Sequence, residues 1–250
     1  MHLEKGGTHH DRGSGGGLRR AFLWILDLLF PRLCPLCGSP TELSICEGCI
    51  RGLYPCEEPL CPRCGLPYPL EATGHLCSAC LRGDYPFVRH RSYGLYEGVL
   101  REAIHRFKYR GDRSLLAPLG EMALEAFRRL EVQPDFILPV PLDRKKLLQR
   151  GFNQSLLLAR YISRCTGIPC KEGLLVKCKE TPSQTSLGGK ERRTNLRGAF
   201  ALREEEVVRG KRVLVVDDVF TTGATISEIS RVLLKAKAKE VFAVTLARSL

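Results

Sequence analysis

The sequence predicts an α/β protein in which a parallel sheet flanked by helices carries a small cysteine-rich module on its amino-terminal side. Three observations predict it. Eight of the twelve cysteines fall into four CxxC pairs within the first third of the chain. After Pro86 cysteine becomes rare, and strand-like and helix-like apolar segments alternate with short joins. In one of those strands, four consecutive apolar residues run directly into two aspartates and a glycine turn.

Bulk composition limits what can follow. A chain of 250 residues, 44% hydrophobic, can bury a full core beside a smaller module. Its 39 lysines and arginines against 27 aspartates and glutamates give a net charge of +12, and the excess is concentrated. Residues 141–200 hold thirteen basic and four acidic residues, a local +9. That favours phosphates, pyrophosphate or nucleic acid as ligands, with a charged, solvated surface as the plain alternative.

Residues 1–17 are glycine-rich without apolar periodicity and read as a disordered leader or an expression remnant. Arg19 and Arg20 before an apolar run superficially resemble a twin-arginine export signal. The run is broken by Asp27, ends at Pro31 and has no small-residue cleavage site. It is also far below the ~20 residues a membrane span needs. Residues 18–33 are therefore expected to form a short amphipathic helix, with no membrane span anywhere.

The cysteine pairs come next, over a module expected at 34–85. They are Cys34 and Cys37, Cys46 and Cys49, Cys61 and Cys64, and Cys77 and Cys80. Two thiols three positions apart make half of a tetrahedral zinc site. An internal repeat strengthens this, since CPLCGSP at 34–40 recurs as CPRCGLP at 61–67. In such knuckles the glycine after the second cysteine, Gly38 or Gly65, can take a positive φ that turns backbone N–H groups toward the thiolates. Two sequential ribbons follow, each with its own structural zinc; a cross-braced pairing, first with third and second with fourth, is the alternative. Cys56, Cys165, Cys170 and Cys178 fit no metal spacing and read as reduced thiols of a cytoplasmic protein.

The sheet domain is expected over 90–250. Strands are expected at 135–141, 211–218 and 240–246, and helices at 151–166 and 224–237, a pattern that builds a parallel sheet. Ligands of such sheets bind at the carboxyl ends of the strands. Residues 212–225, RVLVVDDVFTTGAT, stand at that position. The four apolar residues suit a strand buried on both faces, and Asp217 and Asp218 emerge at its end. Thr221, Thr222, Gly223, Ala224 and Thr225 then form a turn where a phosphate can approach backbone at a helix N-terminus. The two acids fit beside an anion site if they accept hydrogen bonds from ribose hydroxyls. A helix cap with incidental acids is the plainer reading.

Two basic segments complete the constellation. Residues 139–154, PVPLDRKKLLQRGFNQ, offer Arg144, Lys145, Lys146 and Arg150. Residues 181–200, TPSQTSLGGKERRTNLRGAF, offer Lys190, Arg192, Arg193 and Arg197 behind a possible glycine hinge at Gly188 and Gly189. Lys108 could reach the same place or cap the C-terminus of its own helix, and the two readings stand level.

The 212–225 stretch resembles the phosphoribosyl pyrophosphate (PRPP) signature of type I phosphoribosyltransferases. The wording RGFNQ, the later pattern Q-x-x-L-x-x-x-x-R-x-x-N-x-x-x-A-F, and the order of ribbons before sheet domain are similar to the ComF family, over roughly residue 22 to the C-terminus. The resemblance implies a type I phosphoribosyltransferase fold behind a double zinc ribbon. It implies ribose contacts by Asp217 and Asp218, a 5-phosphate cradle at Thr221 to Thr225, and a pyrophosphate loop at Arg144 to Arg150. It further implies a flexible loop carrying Lys190 to Arg197, and magnesium entering with PRPP. For function it implies PRPP or nucleotide binding in the setting of single-stranded DNA uptake and natural transformation, alongside DNA-uptake proteins. The alternative is nucleotide salvage by transfer of phosphoribose to an unidentified acceptor.

Overall fold

A computed structural model of the chain describes residues 32–69, 74–179 and 196–250. These fall into two compact units, the first ending at Cys46 and the second running Glu47–Leu250. The expected leader and residues 18–31 of the expected helix lie outside the described residues. Leu33, at the end of that stretch, instead forms a β-bridge with Pro40.

In the second unit the four-stranded sheet has the order β1-β6-β5-β2, every neighbour parallel. Its strands are β1 (Arg89–Leu95), β2 (Phe136–Pro139), β5 (Arg212–Phe220) and β6 (Glu240–Arg248). Val213 to Val216 are fully buried, as four successive apolar residues in a strand covered on both faces must be. Two short strands, β3 (Leu175–Lys177) and β4 (Phe200–Leu202), pair antiparallel beside it and bracket the basic 181–200 segment.

The helices are α1 (Glu47–Arg51), α2 (Ser78–Leu81), α3 (Gly98–His105), α4 (Leu116–Arg128), α5 (Arg144–Arg150), α6 (Gln154–Thr166) and α7 (Ala224–Lys235). Helices α4 and α6 pack on each other, α4 over β1 and β6 and α6 over β2 and β5. The alternate side chains of β5, Val213 and Val215, share a core with Ile229 and Leu233 of α7. Strand alternation thus sends one set of residues to each helical layer. Every expected strand and helix of the sheet domain is present, with no end moved by more than three residues. The acid-bearing strand runs on to Phe220, because β6 continues to pair with it as far as Arg248.

The residues expected as the pyrophosphate loop, Arg144 to Arg150, form helix α5. Asp143 caps α5 by accepting from the Lys146 N–H at 2.9 Å, and Gly151, in the left-handed conformation, ends it. Among the described residues no helix is long and apolar enough to cross a membrane.

Candidate functional site

The second ribbon belongs to the same unit as the sheet. Its knuckle closes through a Leu60–Pro67 bridge and a bond of 2.8 Å from the Cys61 N–H to the Leu66 carbonyl. The first knuckle repeats this with Leu33–Pro40 and a 2.8 Å bond from Cys34 to Ser39. Gly38 and Gly65 both take the positive φ expected of them, 77° and 65°. The sulfurs gather sequentially, Cys34, Cys37 and Cys46 within the first unit and Cys61, Cys64, Cys77 and Cys80 within the second, each group within 4.8 Å.

Tetrahedral zinc with four thiolates sets its sulfurs about 3.8 Å apart. The observed Cys61–Cys80 and Cys64–Cys77 separations of 3.6 Å fit that set. The Cys77 N–H also points at the Cys61 sulfur from 3.4 Å, as outer hydrogen bonds to bound thiolates do. Burial and the neighbouring Cys64 charge push the Cys80 thiol upward, the strain a dication relieves. Both groups therefore have the composition and geometry of zinc-ribbon sites.

At the carboxyl ends of β2 and β5, a cavity of about 310 Å³ opens over Asp217, Asp218 and the turn behind them. Lys108, Lys146, Arg150 and Lys177 line it, four cations against two carboxylates. Asp218 is held on both oxygens, by the Lys108 ammonium at 2.6 Å and the Gln154 amide at 2.6 Å. Asp217 accepts from the Ser155 hydroxyl and the Asp218 N–H, both at 2.9 Å.

Local structure explains how these groups arrive. Asn153 caps α6, accepting from the Ser155 N–H at 3.0 Å while its amide donates to the Val140 carbonyl at 3.0 Å. That fixes Gln154 and Ser155 at the start of the helix, facing the acids. Arg150 donates to the Gln154 side-chain Oε1 at 3.1 Å and lies 4.9 Å over the Tyr109 ring. Lys108 sits in a π-helical turn, Arg106–Arg110, closed by Gly111 in the left-handed conformation. Such turns recur where a helix must aim a side chain at a site. Lys108 thus reaches the acids, which settles its two readings.

Charge follows contact. Burial, together with the Asp218 charge, pushes the Asp217 carboxyl up to about 7. Burial works against the Lys108 ammonium, but the Asp218 carboxylate outweighs it and holds Lys108 above the usual lysine value. Burial and the neighbouring Lys146 hold Lys177 below that value, although its ammonium lies 3.3 Å from Asp143. Burial works against Asp143 as well, but the Lys146 N–H and the Lys146 and Lys177 charges keep it ionised below the usual carboxylate range.

The turn that follows β5 is built around Gly223, with φ 72°. A Cβ there would meet Phe220 Cζ at 2.5 Å and Tyr85 Cε1 at 2.7 Å. Thr222 Oγ1 accepts from the Ala224 N–H at 3.4 Å, and Thr221, Gly223, Ala224 and Thr225 line the cavity.

Of the expected basic residues, Lys146 and Arg150 line the cavity, whereas Arg144 and Lys145 stand exposed on the outer side of α5. Arg197 is exposed and is not among the residues lining the cavity, although its neighbour Leu196 is; its carbonyl accepts from Lys179 at 3.2 Å. Lys190, Arg192 and Arg193 lie outside the described residues. Gln154, Ser155, Asp143 and Lys177 were not singled out from the sequence. Asn153 is a residue type that favours helix starts, but nothing in the sequence joins such a start to the acids.

A double zinc ribbon domain matches residues 25–81, and a phosphoribosyl transferase domain matches residues 155–250. The chain is 35% identical over 232 residues to DNA utilization protein YhgH of Escherichia coli strain K12, covering 89% of this chain and 100% of that protein. It is 34% identical over 212 residues to competence protein F of Haemophilus influenzae, covering 82% of this chain and 91% of that protein. Against competence protein ComFC of Bacillus subtilis the identity is 28% over 245 residues, 94% of this chain and 98% of that protein.

Proposed function

We propose, from the premise that the chain belongs to the ComF family, a double zinc ribbon joined to a type I phosphoribosyltransferase domain, that it binds PRPP or a ribose 5-phosphate nucleotide and acts on single-stranded DNA during uptake. One observation carries the ligand: an acid pair at the end of a parallel strand leads directly into a left-handed glycine turn and a helix N-terminus, all in one cavity with four cations.

In this reading Asp217 and Asp218 accept hydrogen bonds from the vicinal ribose hydroxyls. Thr221 to Thr225 cradle the 5-phosphate. Lys108, Lys146, Arg150 and Lys177 face the pyrophosphate, where fixed cations in a confined site stabilise developing negative charge. Asp217 and Asp218 are the oxygen donors that would hold magnesium brought in with PRPP, and the ion would add to neutralisation of the pyrophosphate. Each ribbon holds one structural zinc.

DNA handling is supported by the relatives' names, which speak of DNA utilization and competence. The local +9 of residues 141–200 and the exposed Arg144 and Lys145 suit a phosphate backbone. The acid pair, which a phosphate backbone does not need, favours a second reading in which phosphoribose is transferred to an acceptor.

Calorimetric titration of the zinc-loaded chain with magnesium and PRPP, repeated with a single-stranded oligonucleotide, tests the proposal. Saturable PRPP binding is expected, weakened at least tenfold when Asp217 and Asp218 are both replaced by Asn. Unchanged affinity in that variant would remove the ribose role. Salt-sensitive oligonucleotide binding without any PRPP binding would leave a nucleic-acid platform only.

The Asp217 environment adds a pH dependence. Its folded value, about 7, lies above the ordinary 3.8, so its protonated form stabilises the ligand-free fold in acid and that contribution fades as pH rises toward 7. Binding that needs the ionised carboxylate runs the other way and should tighten about tenfold between pH 6 and pH 8. Asp217→Asn should flatten the profile; an unchanged slope would assign the titration to the ligand's own phosphate.

A further inference from the structure

The floor of the glycine turn is the Phe220 ring, which a Gly223 Cβ would strike at 2.5 Å. The other contacts of that ring lead to the second ribbon. His90, in β1, stacks on it with ring centres 4.2 Å apart and planes 25° from parallel, and the Arg248 guanidinium lies 5.5 Å from its centre. His90 Nδ1 and Arg248 Nη1 both donate to one acceptor, the carbonyl oxygen of Cys64, at 3.0 and 2.8 Å. The Arg248 Nε is buried with no partner among the described residues, which makes the Cys64 carbonyl harder to lose. Tyr85, just past the ribbon, packs edge-on to Phe220 with centres 5.7 Å apart and donates to the Thr222 carbonyl at 3.5 Å.

We propose that the second four-cysteine site and the glycine turn are energetically coupled through Phe220, so that zinc at Cys61, Cys64, Cys77 and Cys80 strengthens anion binding at the turn. A ribbon this small owes its folded state to its metal, so loss of zinc is a discrete event that displaces the Cys64 carbonyl. Two buried donors then lose their acceptor, and the ring that supports the turn loses the groups stacked on it. His90, Arg248, Tyr85 and Phe220 are positioning residues in this scheme. Coupling between two binding equilibria is reciprocal, so a ligand at the turn must raise the affinity of the ribbon for zinc by the same factor. The inference rests on the ribose 5-phosphate reading of the site.

The test uses the full zinc-loaded chain. Zinc is partitioned to equilibrium between the chain and graded concentrations of a chromogenic chelator, with and without magnesium and ribose 5-phosphate, and binding of that ligand is measured separately by calorimetry. One of the two zinc equivalents is expected to be held about tenfold more tightly when ligand is bound. Phe220→Leu and Arg248→Met should each keep two zinc equivalents and lose this tightening, whichever of them is the better folded. Ligand bound by calorimetry with the zinc affinity unchanged would overturn the coupling alone. Tightening undiminished in both variants would overturn the route through Phe220, even if both melt at lower temperature. No ligand binding by the wild-type chain would overturn the ribose 5-phosphate reading and this inference with it.

Discussion

Gly223→Ala is expected to weaken ribose 5-phosphate binding by roughly a hundredfold while leaving zinc stoichiometry intact. A side chain at φ 72° is already unfavourable by about 1–2 kcal/mol. The methyl would also overlap Phe220 Cζ and Tyr85 Cε1, and neither ring can give way freely. Phe220 is clamped by His90 and Arg248, and Tyr85 stacks on Phe87 with centres 5.3 Å apart. The turn must therefore lift, which moves the first N–H groups of α7 off the line on which a phosphate would meet them. Calorimetry at fixed pH checks this beside a thermal melt. Full affinity in a folded Gly223→Ala chain would place the anion site elsewhere in the cavity.

Cys61→Ser should reduce bound zinc from two equivalents to one. Three thiolates and a hydroxyl hold zinc poorly, and Cys61 lies fully buried in the core that the second ribbon shares with Phe87, Phe220 and α7. Loss of this metal removes folding free energy rather than surface decoration. A loss of at least 3 kcal/mol, at about 2–4 °C per kcal/mol for a chain of this size, lowers Tm by about 10 °C. Metal analysis and calorimetric melting read the two effects. Two zinc equivalents retained in the variant would break the sequential assignment of ligands.

The features legible in the sequence are those whose signals are local. Cysteine spacing gave both thiol groups, and the sequential pairing followed from the CPxCGxP repeat. The Val213 to Val216 run with Asp217, Asp218 and Gly223 behind it announced the strand, its acids and the turn. The features not legible depend on partners distant in the chain. The role of Lys108 is set by Asp218, far along the sequence. Strand β1, RHRSYGL, shows no apolar alternation, yet His90, Arg91 and Ser92 are all buried. Polar side chains are acceptable there because His90 and Arg91 donate to carbonyls of the second ribbon, and Ser92 meets Thr245 at 2.7 Å. Helix α5 carries no core pattern, since Leu147 and Leu148 are exposed. Its Asp143 cap and Gly151 stop are the sequence signals that mark it.

The strand order has a consequence for how the chain comes to be folded. β6, the last of the described strands to be synthesised, lies inside the sheet between β1 and β5. A nascent chain that has emerged only as far as Lys239 presents β1 and β5 with no neighbour between them. Both must wait with unpaired edges, and the pairing that closes the gap joins Arg89 to Phe242 across most of the protein. Sheet closure is therefore a late, non-local event, and the half-made protein is the species most exposed to aggregation during synthesis.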